Sequence, residues 1–577
     1  MTDLDLGARV EWEKLVFRKK SRMGQKKYSW NVNALDTETE KGDVRVVASQ
    51  DSCLTAITLD TVLSFITGRK YEQAQNFFYN LHYDAECILK LDKGVADDIA
   101  SGIESVYGEY TISYIPKKLL TIKKGKHHKF YYTDIAQFYR TSLANAAKTF
   151  LGLDAHEFKG DRARLFELHS IEDISKYCMH DAQLTKQLGE LFLSKLRGLG
   201  LHPKFCISSG NLSQIYVLQN ASVPHTFDIP KEVLFLYHQA YRGGWFDCYK
   251  RGSFNASQYD ISSAYPHVLH DLPDLRQGKW VNGFDDAATL GVLRVKIRCE
   301  KTNLHALGVY NTHGVTYANF DKESFYYLTK SEFDVLRHYY TFDIDNAWCF
   351  KADDNAGFPY REAINTLYSF KQHAKSDAQQ YRVAKEIINS LYGKTCEKIK
   401  TNDGFYKVGK LFNPVYAAEI TAQTRMKIFK DFYSHREHII AVHTDSVISD
   451  KPLPVALGEG LGAWERKNEN ENLVILRNGV YQFEGKEITA RGFKGVTSLF
   501  DLFDSKKSYI NLRYTRPQHL KECLVQDRFE DIGSFKDVDY DLSLNDHKRM
   551  WDSKIQSFED LLYKQSESSA VPLSIIF

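Results

Sequence analysis

Apolar and polar positions alternate through "NVNALDTETE" (31–40), which predicts a strand ending in Asp36 and Glu38, and "DVRVVAS" after it predicts a paired strand. "FFYNLHYDAECILK" (77–90) passes from an apolar run into a helical pattern, and "ISKYCMHDAQLTKQLGELF" (174–192) has the period of an amphipathic helix. Further on, "KEVLFLYHQA" and "QQYRVAKEIINSLYGKT" (379–395) read as helices, "VLRVKIRCE" as a strand, and "SQYDISSAYPHVL" (257–269) as a strand turning into a helix. In "AVHTDSVISD" (441–450) a carboxylate interrupts two stretches that both want burial, the pattern of a hairpin whose tip carries a charge for a reason.

Those intruding polar residues follow an order. Asp36 and Glu38 are i and i+2 on a strand and share a face; Asn80 precedes Asp84 by one helical turn; Tyr177 and Asp181 are i and i+4 on a helix. Together they supply four carboxylates and a tyrosine, the set a two-metal phosphodiesterase uses to hold a pair of divalent ions about 4 Å apart, with the tyrosine orienting a water. In the second half, Asp260 ends one strand and Asp445 sits between two others, so two acids from separate strands can meet at a second site. Lys385, Asn389 and Tyr392 form one stripe of a helix, and the paired glycines of "YRGG" (241–244) let a backbone approach a phosphate.

At 577 residues the chain exceeds a single core, which stops growing near roughly 250–300 residues, so two large units are expected. With 76 Lys plus Arg against 74 Asp plus Glu, global charge points to no polyanionic partner, although "RKKSRMGQKK" (18–27) is locally basic. Nine scattered cysteines without C-x-x-C spacing argue for a reducing, intracellular setting rather than a disulfide framework or structural zinc; no apolar run reaches membrane-span length, and no secretory signal is expected.

The first three motifs, D-x-E at Asp36 and Glu38, N-x-x-x-D at Asn80 and Asp84, and Y-x-x-x-D at Tyr177 and Asp181, resemble the exonuclease motifs of proofreading DNA polymerases. D-x-x-S-x-Y-P at Asp260, K-x-x-x-N-S-x-Y-G at Lys385 and x-T-D-S at Asp445 resemble motifs A, B and C of family B DNA polymerases. The order, the length and "YRGG" between the halves look most like the protein-primed branch of small phages and linear genetic elements.

The resemblance implies an α/β and α+β multidomain chain: an amino-terminal arm and ribonuclease H-like 3′–5′ exonuclease over 1–205, then a right-hand polymerase over 206–577. Within the latter it implies a palm with an insertion at about 290–358, fingers at about 360–395, palm again at 396–495 and thumb at about 496–577. It implies Mg²⁺ or Mn²⁺, two ions per site, held by Asp36, Glu38, Asp84 and Asp181 in one site and by Asp260, Ile261 and Asp445 in the other. Nucleotide contacts fall on Ser263, Tyr265, Lys371, Lys385, Asn389 and Tyr392; DNA contacts on Thr39, Asn80, Tyr83, Tyr241, Gly243, Gly244, Tyr481, Arg491 and Lys494. The expected partners are primer-template DNA and dNTPs, a separate terminal protein as primer, and a helicase or single-strand-binding protein, with the chain acting as a monomer in a host cytoplasm.

The pattern is broken in three places. His443 replaces the first aspartate of motif C, where a neutral imidazole would bond water or metal and make the rate pH-dependent, or would simply pack in the hairpin. Gly479 stands where the K-x-Y element has lysine, so that contact falls to Arg477 or is lost. "CEKIKTNDGFYKVGKLFNP" reads as one short hairpin in place of the family's second insertion, so weak intrinsic strand displacement is expected. His443 and Gly479 also suit an alternative, an active nuclease whose polymerase half is a DNA-binding scaffold; the retained Asp260, Lys385, Asn389, Tyr392 and Asp445 speak against it.

Overall fold

The computed structural model describes residues 4–7, 12–17, 31–155, 164–299, 304–312, 314–401, 403–493, 496–502, 506–545 and 548–577. The basic run 18–27 and Lys494 lie outside the described residues.

The amino-terminal half is built on an eight-stranded sheet whose centre is Val32–Glu40, parallel to Gln75–Phe78, which is in turn parallel to His128–Asp134. Asp43–Ser49 pairs antiparallel with Val32–Glu40, as the alternation predicts. Helices Leu59–Ile66, Leu81–Leu89 and Lys93–Ala100 cover one face, their apolar stripes meeting Leu35, Phe78 and Tyr132 in a common core. Across the other face lies Ile171–Gly198, extending the predicted helix at both ends. Ser170 caps it by accepting from the Asp173 amide, Glu172 and Asp173 occupy the first turn and Lys195 and Arg197 the last, so both ends suit the helix dipole. Ile174 and Cys178 pack on Val46 and Ala48, and Leu188 and Phe192 reach the core that contains Phe77.

The second half has a nine-stranded sheet in which Lys250–Ile261 lies between Ser446–Ser449 and Trp464–Arg477. Asn413 caps helix Pro414–Phe432, which carries Pro414 in its first turn and is buried on nearly every side. Helices Arg361–His373 and Ala378–Thr395 stand beside this sheet, and Asp377, which caps the second, also pairs with Lys195 of Ile171–Gly198 at 2.5 Å. A separate five-stranded sheet holds Gly278–Asn282, Leu290–Cys299, Ser324–Thr329 and Tyr340–Ala352, so the insertion expected at about 290–358 recruits a strand that precedes it.

Contacts in the structure cross the expected bounds in two places. The amino-terminal arm, assigned to the nuclease half, pairs with the other half: Leu4–Asp5 runs parallel to Ser324–Phe325, and Leu15–Val16 parallel to Tyr406–Lys407. Backbone strand pairing needs no distinctive side chains, so two-residue strands leave no periodic signal. In the opposite direction, Leu520, Cys523 and Ile532 from the expected thumb belong to the core around Leu35, Phe78 and Tyr132 in the amino-terminal half. The short hairpin does form, from Lys398–Lys400 and Tyr406–Val408. The basic, aromatic ribbon Tyr509–Pro517 pairs with Phe535–Ser543, whose Asp539 and Asp541 answer Arg513 and Asn511 and cancel much of its charge. Among the described residues, no helix is long and apolar enough to cross a membrane.

Candidate active sites

The first site gathers the carboxylates of three elements. Asp36 and Glu38 leave one face of Val32–Glu40, Asp84 comes from helix Leu81–Leu89, and Asp181 from Ile171–Gly198 one turn after the half-buried Tyr177. Burial first, then the charges of Asp84, Asp181 and Glu38, push the Asp36 carboxyl well above the usual range. Asp84 is 4% exposed and accepts from Thr37 Oγ1 at 2.6 Å; burial raises it to about 7 despite that bond.

Four acids, with Asp36 raised by burial and by the other three and Asp84 raised by burial, make a site that divalent cations would neutralise. Cys178 joins them: its thiol is 3.6 Å from Asp36 Oδ2, and the nearest ligand atoms of Asp36, Glu38 and Cys178 all lie within 4.8 Å of one another. Asn80 starts its helix in the left-handed region (φ 72°) without a side-chain cap, and its backbone N–H donates to Asp134 Oδ1 at 3.0 Å. Thr39 and Tyr83 bring their hydroxyls to 2.6 Å at the rim. Asp134, buried and raised to about 6 by desolvation, along with Thr37 and Cys178, had no signal in the spacing, because each belongs to an element whose pattern is ordinary.

The second site is the cavity of about 300 Å³ beside the nine-stranded sheet, lined by Asp260, Ile261, Ser263, Tyr265, Lys371, Lys385, Asn389 and Asp445. Antiparallel pairing sets Asp260 opposite Ser446, and the Ile261 amide donates to the Asp445 carbonyl at 2.9 Å, so the two acids arrive side by side. Burial, then the Asp260 charge, raises Asp445 to about 7. Burial raises Asp260 to about 6, opposed by Lys467, Lys385 and Lys371. Two raised acids facing one opening again fit a divalent cation pair.

Lys371, 8% exposed, donates to Ser263 Oγ at 3.2 Å, and Ser263 is held in the left-handed region (φ 51°) where strand becomes helix. Tyr265 packs with its ring tilted against Tyr392, centroids 4.4 Å apart, and the Tyr392 hydroxyl meets that of Tyr241 at 2.6 Å. Gln372, Lys375, Tyr381, Glu465 and Lys467 line the same cavity and were missed. Lys375 follows Lys371 by one turn and was legible in principle; Glu465 and Lys467 arrive through the register that sets Glu465 against Asp260.

"YRGG" is positioned by a buried arginine. Arg242, 1% exposed, donates to the carbonyls of Gly308, Gln239 and Leu6 and lies between the rings of Tyr310 and Tyr326. At Gly244 a Cβ would come within 2.4 Å of the Tyr265 hydroxyl and 2.7 Å of Thr444 Cγ2, whereas at Gly243 the space is open. Gly244 is therefore required by packing, and Gly243 leaves a surface that another molecule can approach.

His443 takes the packing alternative. Its ring stacks on Tyr481 at 5.0 Å and lies 5.1 Å from Phe246, outside the cavity, and burial with the Arg491 charge lowers it to about 4, so the expected pH-dependent role in the reaction is withdrawn. Tyr481 is occupied by that stack. Gly479 has φ +71°, and a Cβ there would meet Arg491 Cδ and Phe246 Cζ at 2.9 Å. The missing lysine makes room for Arg491, whose guanidinium covers the Phe246 ring at 3.9 Å, while Arg477 is engaged by the Tyr540 hydroxyl at 2.8 Å.

This geometry can be set beside known proteins. The fold is similar to that of Phi29 DNA polymerase, with a TM-score of 0.64 at 16% identity over 90% of this chain and 100% of that one. The same enzyme complexed with primer-template DNA and incoming nucleotide gives 0.62, at 16% identity over 89% of this chain and 99% of the other. At such identity the likeness establishes the fold. The DNA polymerase of Acidianus bottle-shaped virus (isolate Italy/Pozzuoli) is 26% identical over 435 residues, 66% of this chain and 63% of that protein. A probable DNA polymerase of Ascobolus immersus is 27% identical over 168 residues, 28% of this chain and 14% of the relative, so the chain spans less than two thirds of either. The model of the family described as DNA polymerase type B, organellar and viral, matches residues 168–472, from the helix of Tyr177 and Asp181 to the strand behind Asp260. With more than half its length matched, the chain belongs to the organellar and viral type B DNA polymerases.

Proposed function

We propose that the chain is a DNA-directed DNA polymerase that also removes nucleotides from a 3′ end, using the two carboxylate sites for the two reactions. The observation that carries this is the contrast in lining: the cavity at Asp260 and Asp445 also holds Lys371, Lys375, Lys385 and Lys467, the cations a triphosphate requires.

In synthesis, the primer 3′ oxygen forms a bond to the α-phosphorus of the incoming dNTP as the bond to the bridging oxygen breaks and pyrophosphate leaves. Lys371 and Lys385 face the leaving phosphates, Ser263 positions Lys371, and Tyr265, backed by Tyr392, lies against the sugar. Asp260 and Asp445, with the Ile261 carbonyl beside them, would hold Mg²⁺ or Mn²⁺, two ions in this reading, which lower the pKa of the attacking hydroxyl and neutralise phosphate charge. Asn389 borders the nucleotide, and Tyr241, Gly243, Gly244, Tyr481 and Arg491 form the edge along which the primer-template runs.

In the nuclease site, Asp36, Glu38, Asp84 and Asp181 would hold the same kind of ions, Tyr177 orients the attacking water, and Thr39, Asn80 and Tyr83 border the strand end. Primer-template DNA and dNTPs are the substrates, and a viral or mobile-element genome is the replicated molecule. With the second insertion reduced to Lys398–Val408, the enzyme depends on a helicase or single-strand-binding protein at a downstream duplex, and a separate terminal protein supplies the primer.

Primer extension by the purified chain with Mg²⁺ and dNTPs, and shortening of the primer when dNTPs are withheld, are the expected results. A folded chain that shortens single strands but extends no primer with either Mg²⁺ or Mn²⁺ would overturn the polymerase reading and favour the scaffold alternative.

A further inference from the structure

A third group of ligating side chains lies where the carboxyl-terminal segment packs on the nuclease domain. His82 and Glu86 are one turn apart on helix Leu81–Leu89 and share a face. His519 arrives from 433 positions further along the chain and sets its Nδ1 2.9 Å from Glu86 Oε2. His82 Nδ1 is 3.7 Å from Glu86 Oε1 and 2.8 Å from the Tyr114 hydroxyl, and the two imidazoles lie parallel at 4.6 Å. The ligand atoms of His82, Glu86 and His519 all fall within 4.8 Å of one another.

Helix formation does not account for this placement. His519 stands at the cap position of Leu520–Val525 yet makes no capping bond, its ring turned to Glu86 instead. The side chains of His82 and Glu86 are 13% and 8% exposed and that of His519 35%, so the group is enclosed on the domain side and reached by solvent on the other.

Two imidazoles and one carboxylate are a donor set of the zinc class; Mg²⁺ prefers oxygen donors, as at the carboxylate sites. Around an ion about 2.0–2.1 Å from each ligand, tetrahedral neighbours stand roughly 3.3 Å apart, a spacing bracketed by the two contacts to Glu86. We propose that His82, Glu86 and His519 bind a transition-metal ion of the zinc class, with a water in the fourth position beside Tyr114, and that the ion clamps the carboxyl-terminal segment to the nuclease domain. The segment already buries Leu520, Cys523 and Ile532 there, and Lys90 Nζ donates to the Glu530 carbonyl at 2.7 Å. An ion bound only when the two are docked adds to that contact by mass action.

The test uses the full chain with the exposed Cys53 changed to serine, stripped with chelator and then held in excess Mg²⁺ so that the carboxylate sites are filled. Zn²⁺ is titrated by calorimetry and Co²⁺ by visible absorption. Expected are an equivalent of Zn²⁺ bound at least about 10-fold more tightly than in His519→Ala, and a Zn²⁺-dependent rise in Tm that this variant lacks. His82→Ala has the same effect, while Asp36→Ala keeps the site. If His82→Ala does not fold, the partly exposed His519→Gln decides. Zinc binding unchanged by both substitutions at 519, or no Zn²⁺ bound more tightly than by His519→Ala, overturns the proposal.

Discussion

The two carboxylate sites were assembled by opposite means. In the amino-terminal site the acids repel one another: Asp36 is raised by burial and then by the charges of Asp84, Asp181 and Glu38. In the cavity of the second half, Asp260 faces Lys467, Lys385 and Lys371, which hold it to about 6 in spite of burial. A site dominated by acids draws its positive charge from the cations it binds, which suits cleavage of a bond already in a polymer. A site that carries acids and lysines together holds part of its counter-charge in the protein, which suits a small polyanion entering from solution.

The largest test of that contrast is to break one site at a time. Asp445→Ala is expected to lower nucleotide incorporation by about 1,000-fold or more, on the order of 4 kcal/mol of transition-state stabilisation, with single-strand degradation nearly unchanged. Asp36→Ala with Glu38→Ala is expected to do the reverse. Loss of both activities in folded Asp445→Ala protein would mean that the sites are not separate.

Next comes sugar selection. Tyr265 is braced by Tyr392 at 4.4 Å and by the close approach of Gly244, so its ring cannot yield to an added 2′ hydroxyl. Tyr265→Val is expected to raise ribonucleotide use relative to deoxyribonucleotide by about 10-fold or more in single-nucleotide kinetics. Unchanged selectivity in an active variant would remove Tyr265 from that role.

Lys371→Ala sharpens the charge argument. It is expected to raise the KM for dNTP by about 10-fold with no change in nuclease rate, because the lysine lines the cavity of Asp260 and Asp445. An equal loss in nuclease rate would show that the lysine acts through the fold.

The smallest effect is on stability. Asp84 and Asp445 titrate near 7 and Asp260 near 6, above their unfolded values, so their contribution is complete below about pH 4 and is lost as pH rises through 6 to 7. Metal-free protein is expected to lose a few degrees of Tm between pH 5.5 and 8 by calorimetry, with Mg²⁺ restoring them at pH 8 and adding little at 5.5. A Tm that Mg²⁺ shifts equally at both pH values would contradict the burial of uncompensated acids.

Much of this was legible along the chain because the information is local. Period two on Val32–Glu40 sets Asp36 and Glu38 on one face, and a helical turn links Tyr177 to Asp181 and Lys385 to Asn389, whatever the rest of the molecule does. An acid between two apolar strands marked Asp445 because burying an unpaired charge costs too much to be idle. Those facts were enough to name the elements, the two carboxylate sets and the family they resemble.

What the tertiary structure alone decided depends on partners far away in sequence. His443 proved to be a packed ring only because Phe246 and Tyr481 come to its two sides, and Gly479 proved to be a place for Arg491. The amino-terminal arm found its strands near residues 324 and 406, Glu465 reached Asp260 through strand register, and His519 reached His82 and Glu86 across most of the chain. Spacing specifies which side chains leave an element together; it carries no term for which other element closes over them, since that is settled by the joint packing of surfaces that the sequence distributes over its whole length.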